Sequence, residues 1–376
     1  MIGAGQDALS ATPWTGWLGL YQTGAGGGVL PGIALPPLLT RGTLVAEVTL
    51  DRGQIGPLPL MHLAMHADWP RLFSLALTFD ARLMLRQRQG KTQAAVSLNA
   101  ADLVAAGGHF RLTYSWDAPL RHSLLTLESL DSGTMRQAVG SNPLPIPRAD
   151  LLAMLAGRGG AMHGGALRWF GLAGGRLPVG PGAAFAPSTP IETPQGPRPA
   201  ATIGAGDLVQ TADAGPQEVL WSGRLALPAL GVLAPIRLDT GRFGRSRDLW
   251  VLPQTRIVIA DASVEYLFGT DRVLTEARHL VDGICAVRVE RPRVLSWHGI
   301  LLRGHHVLVA DGVGLESLYL GALAASPDLA ATTAFAGLAA TGALPIHRRP
   351  ALRELRPFEA ASLADTRARR HAPVAA

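Results

Sequence analysis

Along much of the first 140 residues, apolar and polar side chains alternate with a period of two. That is the pattern of a strand with one buried face. In "TLVAEVTL", Leu44, Ala46, Val48 and Leu50 fall on one side, with Glu47 and Thr49 on the other. In "LFSLALTF", Phe73, Leu75, Leu77 and Phe79 share a face. The clearest case is "HFRLTYSWDAP", where Phe110, Leu112, Tyr114 and Trp116 alternate with Arg111, Thr113 and Ser115. A turn follows, and "SLLTLESLDSG" then suits an antiparallel partner. About eight such segments separated by turn residues predict an antiparallel β-sandwich, jelly-roll-like, over residues 1–175. One helix is expected within "IPRADLLAMLAG" at 146–157, and "LRWFGLAGG" at 167–175 returns as a last strand.

The overall pattern of these strands is similar to concanavalin-A-like lectin and laminin-G sandwiches, and composition supports a mostly β chain. The 376 residues are 48% hydrophobic and 16% charged, and 44 Gly and 28 Pro imply many turns between short elements. The net charge is +6, carried almost wholly by dispersed arginines, with Lys91 the only lysine. Nucleic-acid binding asks for clustered basic residues, and the densest group, "RFGRSRD" at 242–248, reads as a solvated loop. No nucleic-acid partner is therefore expected.

Cys285 is the only cysteine, which excludes an intrachain disulfide and any zinc site built from several cysteines. His62 and His66 have H-x-x-x-H spacing, but "LPLMHLAMHADW" alternates like a strand and no Glu follows the first His. Neither a metal nor a cofactor is expected. Trp116-Asp117 reads as a packed corner rather than a sugar platform.

The N-terminal stretch "MIGAGQDALSATPW" has no basic and apolar signal-peptide regions. The apolar stretch 321–346 is interrupted by Pro327 and Asp328, so no membrane span is expected. The expectation is a soluble chain, either cytoplasmic or exported without a cleaved signal.

After a linker at 176–183, the second half departs from the strand-and-turn monotony. "AFAPSTPIETPQGPRPAATIGAGDLVQTADAG" leads into "GPQEVLWSGR" and then "RSRDLWVLPQTRIVI". "DRVLTEARHLVDG", "VLSWHGILLRGHHVLVADGVGLESLYLG" and "RPALRELRPFEAASL" follow. This series resembles the Hint domain shared by hedgehog proteins and inteins, and is most similar to its bacterial hedgehog/intein type. The resemblance spans 184–321, with a partly helical tail over 322–376. It implies a horseshoe-like all-β disc of hairpins.

The resemblance also implies a chemistry, autoprocessing. A Cys or Ser at the first residue of the domain attacks the preceding carbonyl, and a His helps to protonate the leaving amide nitrogen. The family start, Cys-Phe-x-x-Gly-Thr-x-Ile, is met here by Ala184-Phe185-Ala186-Pro187-Ser188-Thr189-Pro190-Ile191. The block Val-Ser-Pro-Gln-His-Arg is met by Val251-Leu252-Pro253-Gln254-Thr255-Arg256. Ala184, Leu252 and Thr255 thus replace the nucleophile, the hydroxyl and the histidine.

Cys285 lies upstream of the block where some relatives carry an internal cysteine nucleophile, and reads as a small buried hydrophobe. His305 matches a family histidine and His306 takes the following acidic place; both default to satisfied strand-end residues. Gly206 and Asp207 read as a turn in which the carboxylate caps amides. Chain splicing by Asn cyclisation is excluded, since no asparagine follows Asn142.

The leading expectation is a non-processing binding or scaffolding protein. The alternatives are residual self-cleavage near Ala183-Ala184, or glycan or protein binding by an exported sandwich.

Overall fold

The structure is a computed structural model that describes residues 16–54, 56–66, 69–182, 184–239, 248–283 and 285–371. The N-terminal stretch 1–14, most of the arginine-rich loop at 242–248, and Ala183 lie outside the described residues. The chain is mostly β, built from antiparallel sheets with few helices. It divides into two compact units. One runs to Gly180 and includes Leu230–Val232; the other comprises Pro181–Ala229 and Leu233 onward. The stretch expected as a linker, 176–183, is split between them.

The first unit is a sandwich of a seven-stranded and a five-stranded sheet. In the larger sheet the order is Met135–Ser141, His122–Ser129, Gly108–Asp117, Arg41–Leu50, Leu167–Ala173, Trp17–Gln22 and Gly26–Val29. The smaller runs Ala161–His163, Leu58–Met65, Arg71–Leu77, Arg82–Gln89 and Thr92–Asn99. Both sheets feed one core, in which Leu44, Phe110, Leu112 and Leu125 meet Leu63, Phe73, Leu75 and Leu85. The pairing of Gly108–Asp117 with His122–Ser129 is antiparallel, as its alternation predicts. The expected helix forms over Arg148–Ala156 and ends on Gly157 at φ +62°, a left-handed conformation that glycine adopts without steric cost.

Three expectations fail here, each for a physical reason. Arg41–Leu50 is central and covered on both faces, so Glu47 is not on a wet side but buried (3% exposed). Its carboxylate accepts from Trp169 Nε1–H at 2.7 Å and from the Val232 N–H at 2.9 Å. Burial pushes this carboxyl above its usual range, against those two donors. Phe79 leaves the shared face because its strand ends at Leu77; it sits in the following turn, 72% exposed. The count of about eight segments also falls short, because two- to four-residue strands carry too little alternation to read.

In the second unit, a long strand Gly215–Pro228 pairs antiparallel with Val294–Leu302. The path continues through Leu208–Thr211, Val307–Ala310, Val313–Glu316, Arg256–Ile259 and Val273–Glu276. The hairpin Pro190–Thr193/Gly196–Pro199 joins through Ile191 opposite Ala310. A three-stranded sheet sets Ile236–Leu238 between Leu249–Val251 and Ala286–Arg288. The turn after Ala310 is Asp311-Gly312, both at positive φ (48° and 72°), which matches the right-handed twist of a tight hairpin. The tail is partly helical, over Pro327–Ala330, Ala336–Ala340 and Pro357–His371. Among the described residues no helix is long and apolar enough to cross a membrane.

Candidate functional site

Ala184 is where the chemistry of a Hint-like domain would start, and the structure places it in the core (4% exposed). Its segment is threaded between two strands. Phe185 bridges Val251 on one side and His298 on the other. The N–H groups of Ala184 and Phe185 both donate to the His298 carbonyl, at 2.9 and 3.0 Å, and the His298 N–H donates back to Phe185 at 2.8 Å. Close approach on this side is possible because residue 299 is glycine: a Cβ there would collide with the Gly182 carbonyl.

The Ala184 carbonyl collects two donors. The Leu252 N–H reaches it at 3.2 Å, and the Thr255 hydroxyl donates to it at 3.2 Å. Thr255 is itself held by its N–H on the Leu252 carbonyl at 3.0 Å. The three positions singled out from the sequence, Ala184, Leu252 and Thr255, are therefore brought together, and all three are buried. What they form is a clamp on the first residue of the domain. Two donors converge on one oxygen, as in an oxyanion hole, but that oxygen belongs to Ala184 and not to the carbonyl that precedes it.

His298 is the site residue that sequence reasoning missed. No motif marks it, because its contribution is the backbone of a strand more than a hundred residues further along the chain. Burial, with a smaller contribution from the Arg224 charge, pushes its imidazole below the ordinary histidine range.

The other candidates lie in separate structural roles. His305 has a fully buried ring: its Nδ1 accepts the Ala351 N–H at 2.9 Å, which leaves Nε2–H to donate to Glu316 at 3.2 Å. Glu316 also pairs with Arg256 at 2.9 Å. Burial alone would push Glu316 up; the His305 bond and the Arg256 charge outweigh it and hold the carboxyl below its usual range. His306 pairs with Asp213 at 2.9 Å in a partly exposed position. Both imidazoles are thus satisfied.

Cys285 departs from expectation. It is half-buried in a turn ahead of Ala286–Arg288, its N–H on Asp282 at 2.7 Å, rather than a buried strand hydrophobe. The turn-forming Asp at 282, two residues after a short helical turn, takes the chain out of strand geometry there.

Asp207 caps its turn as read, accepting the Gly204 N–H at 2.8 Å and pairing with Arg198 at 3.2 Å, with Gly206 at φ +88° beside it. Those partners hold its carboxyl below the usual range. His62 lies within a strand and His66 just past its end, and the described residues contain no cluster of three metal-ligating side chains. Trp116 is buried with Nε1–H on the Leu39 carbonyl at 3.2 Å, while Asp117 pairs with Arg41 at 3.1 Å, a packed corner.

Comparison with known proteins gives one family match: residues 183–322 match the Hint domain. No curated protein matches the chain. Among solved structures, the MchDnaB-1 intein is similar at 13% identity and TM-score 0.24, over 36% of this chain and all (100%) of that one. The Ruminococcus gnavus IT-sialidase CBM40 bound to α2,6-sialyllactose is similar at 13% identity and TM-score 0.25, over 37% of this chain and 79% of that one. A heptameric SAP-like pentraxin from Limulus polyphemus is similar at 10% identity and TM-score 0.22, over 42% and 63%. Over residues 183–322, then, the chain carries a Hint domain.

Proposed function

We propose that this Hint domain does not process the chain, and that the protein acts as an uncut binding or scaffolding protein. One observation carries the reading. A methyl group stands where the family's nucleophile would be, and the hydroxyl in the histidine's place is committed to the Ala184 carbonyl. Neither group can attack a carbonyl or protonate a leaving nitrogen near neutral pH. The leaving nitrogen would be that of Ala184, whose N–H is bonded to the His298 carbonyl. The His298 imidazole, pushed down by burial, is neutral at pH 7 and a poor proton source.

The test is the intact mass of the purified full-length chain, before and after incubation with dithiothreitol or hydroxylamine. One unchanged species of 39.5 kDa is expected. Fragments meeting at the Ala183–Ala184 junction would overturn the reading. The retained frame makes a positive counterpart available. The double substitution Ala184→Cys with Thr255→His restores both groups, and thiol-dependent cleavage at that junction is expected from it alone, with neither single variant active.

A further inference from the structure

Trp69 stands apart from the other described tryptophans of the sandwich. Trp17, Trp116 and Trp169 are at most 3% exposed, whereas Trp69 is 50% exposed. Half of an indole left in water amounts to roughly 100 Å² of mostly apolar surface, about one ring face.

The ring is held firmly. It rests on the tip of the hairpin that joins Arg82–Gln89 to Thr92–Asn99, where Gln89 pairs with Thr92 across the turn Gly90-Lys91. A Cβ on Gly90 would lie 2.6 Å from Trp69 Nε1, so the indole edge sits directly on glycine backbone. Arg71 has its guanidinium 5.8 Å from the ring centroid and is itself fixed to the buried Asp150 by two bonds at 2.9 Å. Its charge is thereby neutralised, and it positions the ring.

Arg88 differs from Arg71. Its Nε–H donates to the Gly90 carbonyl at 2.8 Å, and it pairs with no carboxylate among the described residues. Gly90 therefore touches both groups, the indole through its backbone and the Arg88 fork through its carbonyl. The next residue of the turn is Lys91, the only lysine of the chain and exposed.

A flat apolar face beside a planar cation that pairs with no carboxylate among the described residues suits a ligand that offers an apolar ring face and a carboxylate together. Indole supplies rigid contact area at low entropic cost, and the guanidinium fork matches a carboxylate bidentately. We propose that Trp69 and Arg88 form a binding site for carboxylated pyranosides. The sugar's C–H face stacks on Trp69, and its carboxylate meets Arg88. The site lies within the sandwich unit and does not depend on whether the Hint domain cuts.

The experiment titrates full-length protein with oligogalacturonate and with hyaluronan oligomers, read by tryptophan fluorescence and calorimetry. Neutral maltooligosaccharide and oligoglutamate serve as comparators. Saturable binding of at least one acidic glycan is expected, with weaker binding of the neutral glycan. Trp69→Ala should lower affinity for the acidic glycan about tenfold or more, with circular dichroism unchanged because the side chain is surface-lying. Arg88→Gln should bring the acidic glycan down to the affinity of the neutral one, and Trp69→Phe should keep part of the binding. No binding of either acidic glycan overturns the proposal. So does Trp69→Ala binding as tightly as the wild type, or oligoglutamate binding as well as the glycans.

Discussion

The Thr255 hydroxyl is one of two donors on the Ala184 carbonyl, and the Leu252 N–H remains if it is removed. Thr255→Val keeps the shape and drops only that donor, so the oxygen is not orphaned. A loss of about 1 kcal/mol is expected, read as a lowered urea midpoint at unchanged slope. Gln87 in the sandwich is the opposite case. It is buried and accepts from the Tyr114 hydroxyl at 3.1 Å and the Leu144 N–H at 3.0 Å, while donating to the Leu144 carbonyl at 3.1 Å. Gln87→Leu fills the volume, strands the Leu144 N–H and carbonyl, and takes one of two partners from the Tyr114 hydroxyl, which keeps Ser123. About 3 kcal/mol or more should be lost, several times the Thr255→Val effect, because leaving a buried partner unsatisfied costs more than losing one of two bonds. Equal effects in urea titration would show that Thr255 does more than clamp.

Among the elements, the segment that follows the short tail helices is tied down by one parallel bridge, Glu354 opposite Leu274, and otherwise largely by side chains. The Ala351 N–H ends on His305, Leu320 N–H ends on His347 at 3.2 Å, and Arg256 reaches Glu354 at 2.8 Å while holding Glu316. His305→Phe fills the pocket but removes both ring bonds. Amide exchange in peptides covering 347–356 should rise about tenfold or more, with the strands Gly215–Pro228 and Val294–Leu302 little changed. Uniform exchange across the unit would mean that His305 supports the whole core and not this strap.

The same elements show what a sequence can convey. Gly108–Asp117 was legible because its apolar positions alternate strictly into the core, although Thr113 and Ser115 on the other face are buried as well. Arg41–Leu50 was not, because alternation assumes one wet face and this strand has none, so Glu47 is buried in place of being solvated. Ala184, Leu252 and Thr255 were legible because each sits in a contiguous motif. His298 and the His305–Glu316–Arg256 cluster depend on strand pairing across distant segments, which short-range pattern does not encode.

At the level of the whole molecule, the two units carry separate hydrophobic cores, so acid acts on each through its own buried groups and unfolding need not be all-or-none. In the Hint-bearing unit, burial pushes both His298 and His347 below the ordinary histidine value of 6.5. The unfolded chain binds protons at these groups before the folded one does. Their contribution is therefore complete above pH 6.5 and is lost as pH falls from 6.5 through the folded values. Glu276, pushed up by burial, works the other way: its folded form binds a proton first, so it favours the folded state as pH falls toward 4.5. The glutamate is opposed by the Arg278 and Arg256 charges, whereas His298 has the Arg224 charge adding to its burial. The histidines should win between pH 7.5 and 5.5. Urea unfolding followed through the buried Trp250 and Trp297 should show a lower midpoint at the acid end. In His298→Gln, which cannot titrate, that drop should shrink. An undiminished drop would assign the acid sensitivity to His347 and remove His298 from it.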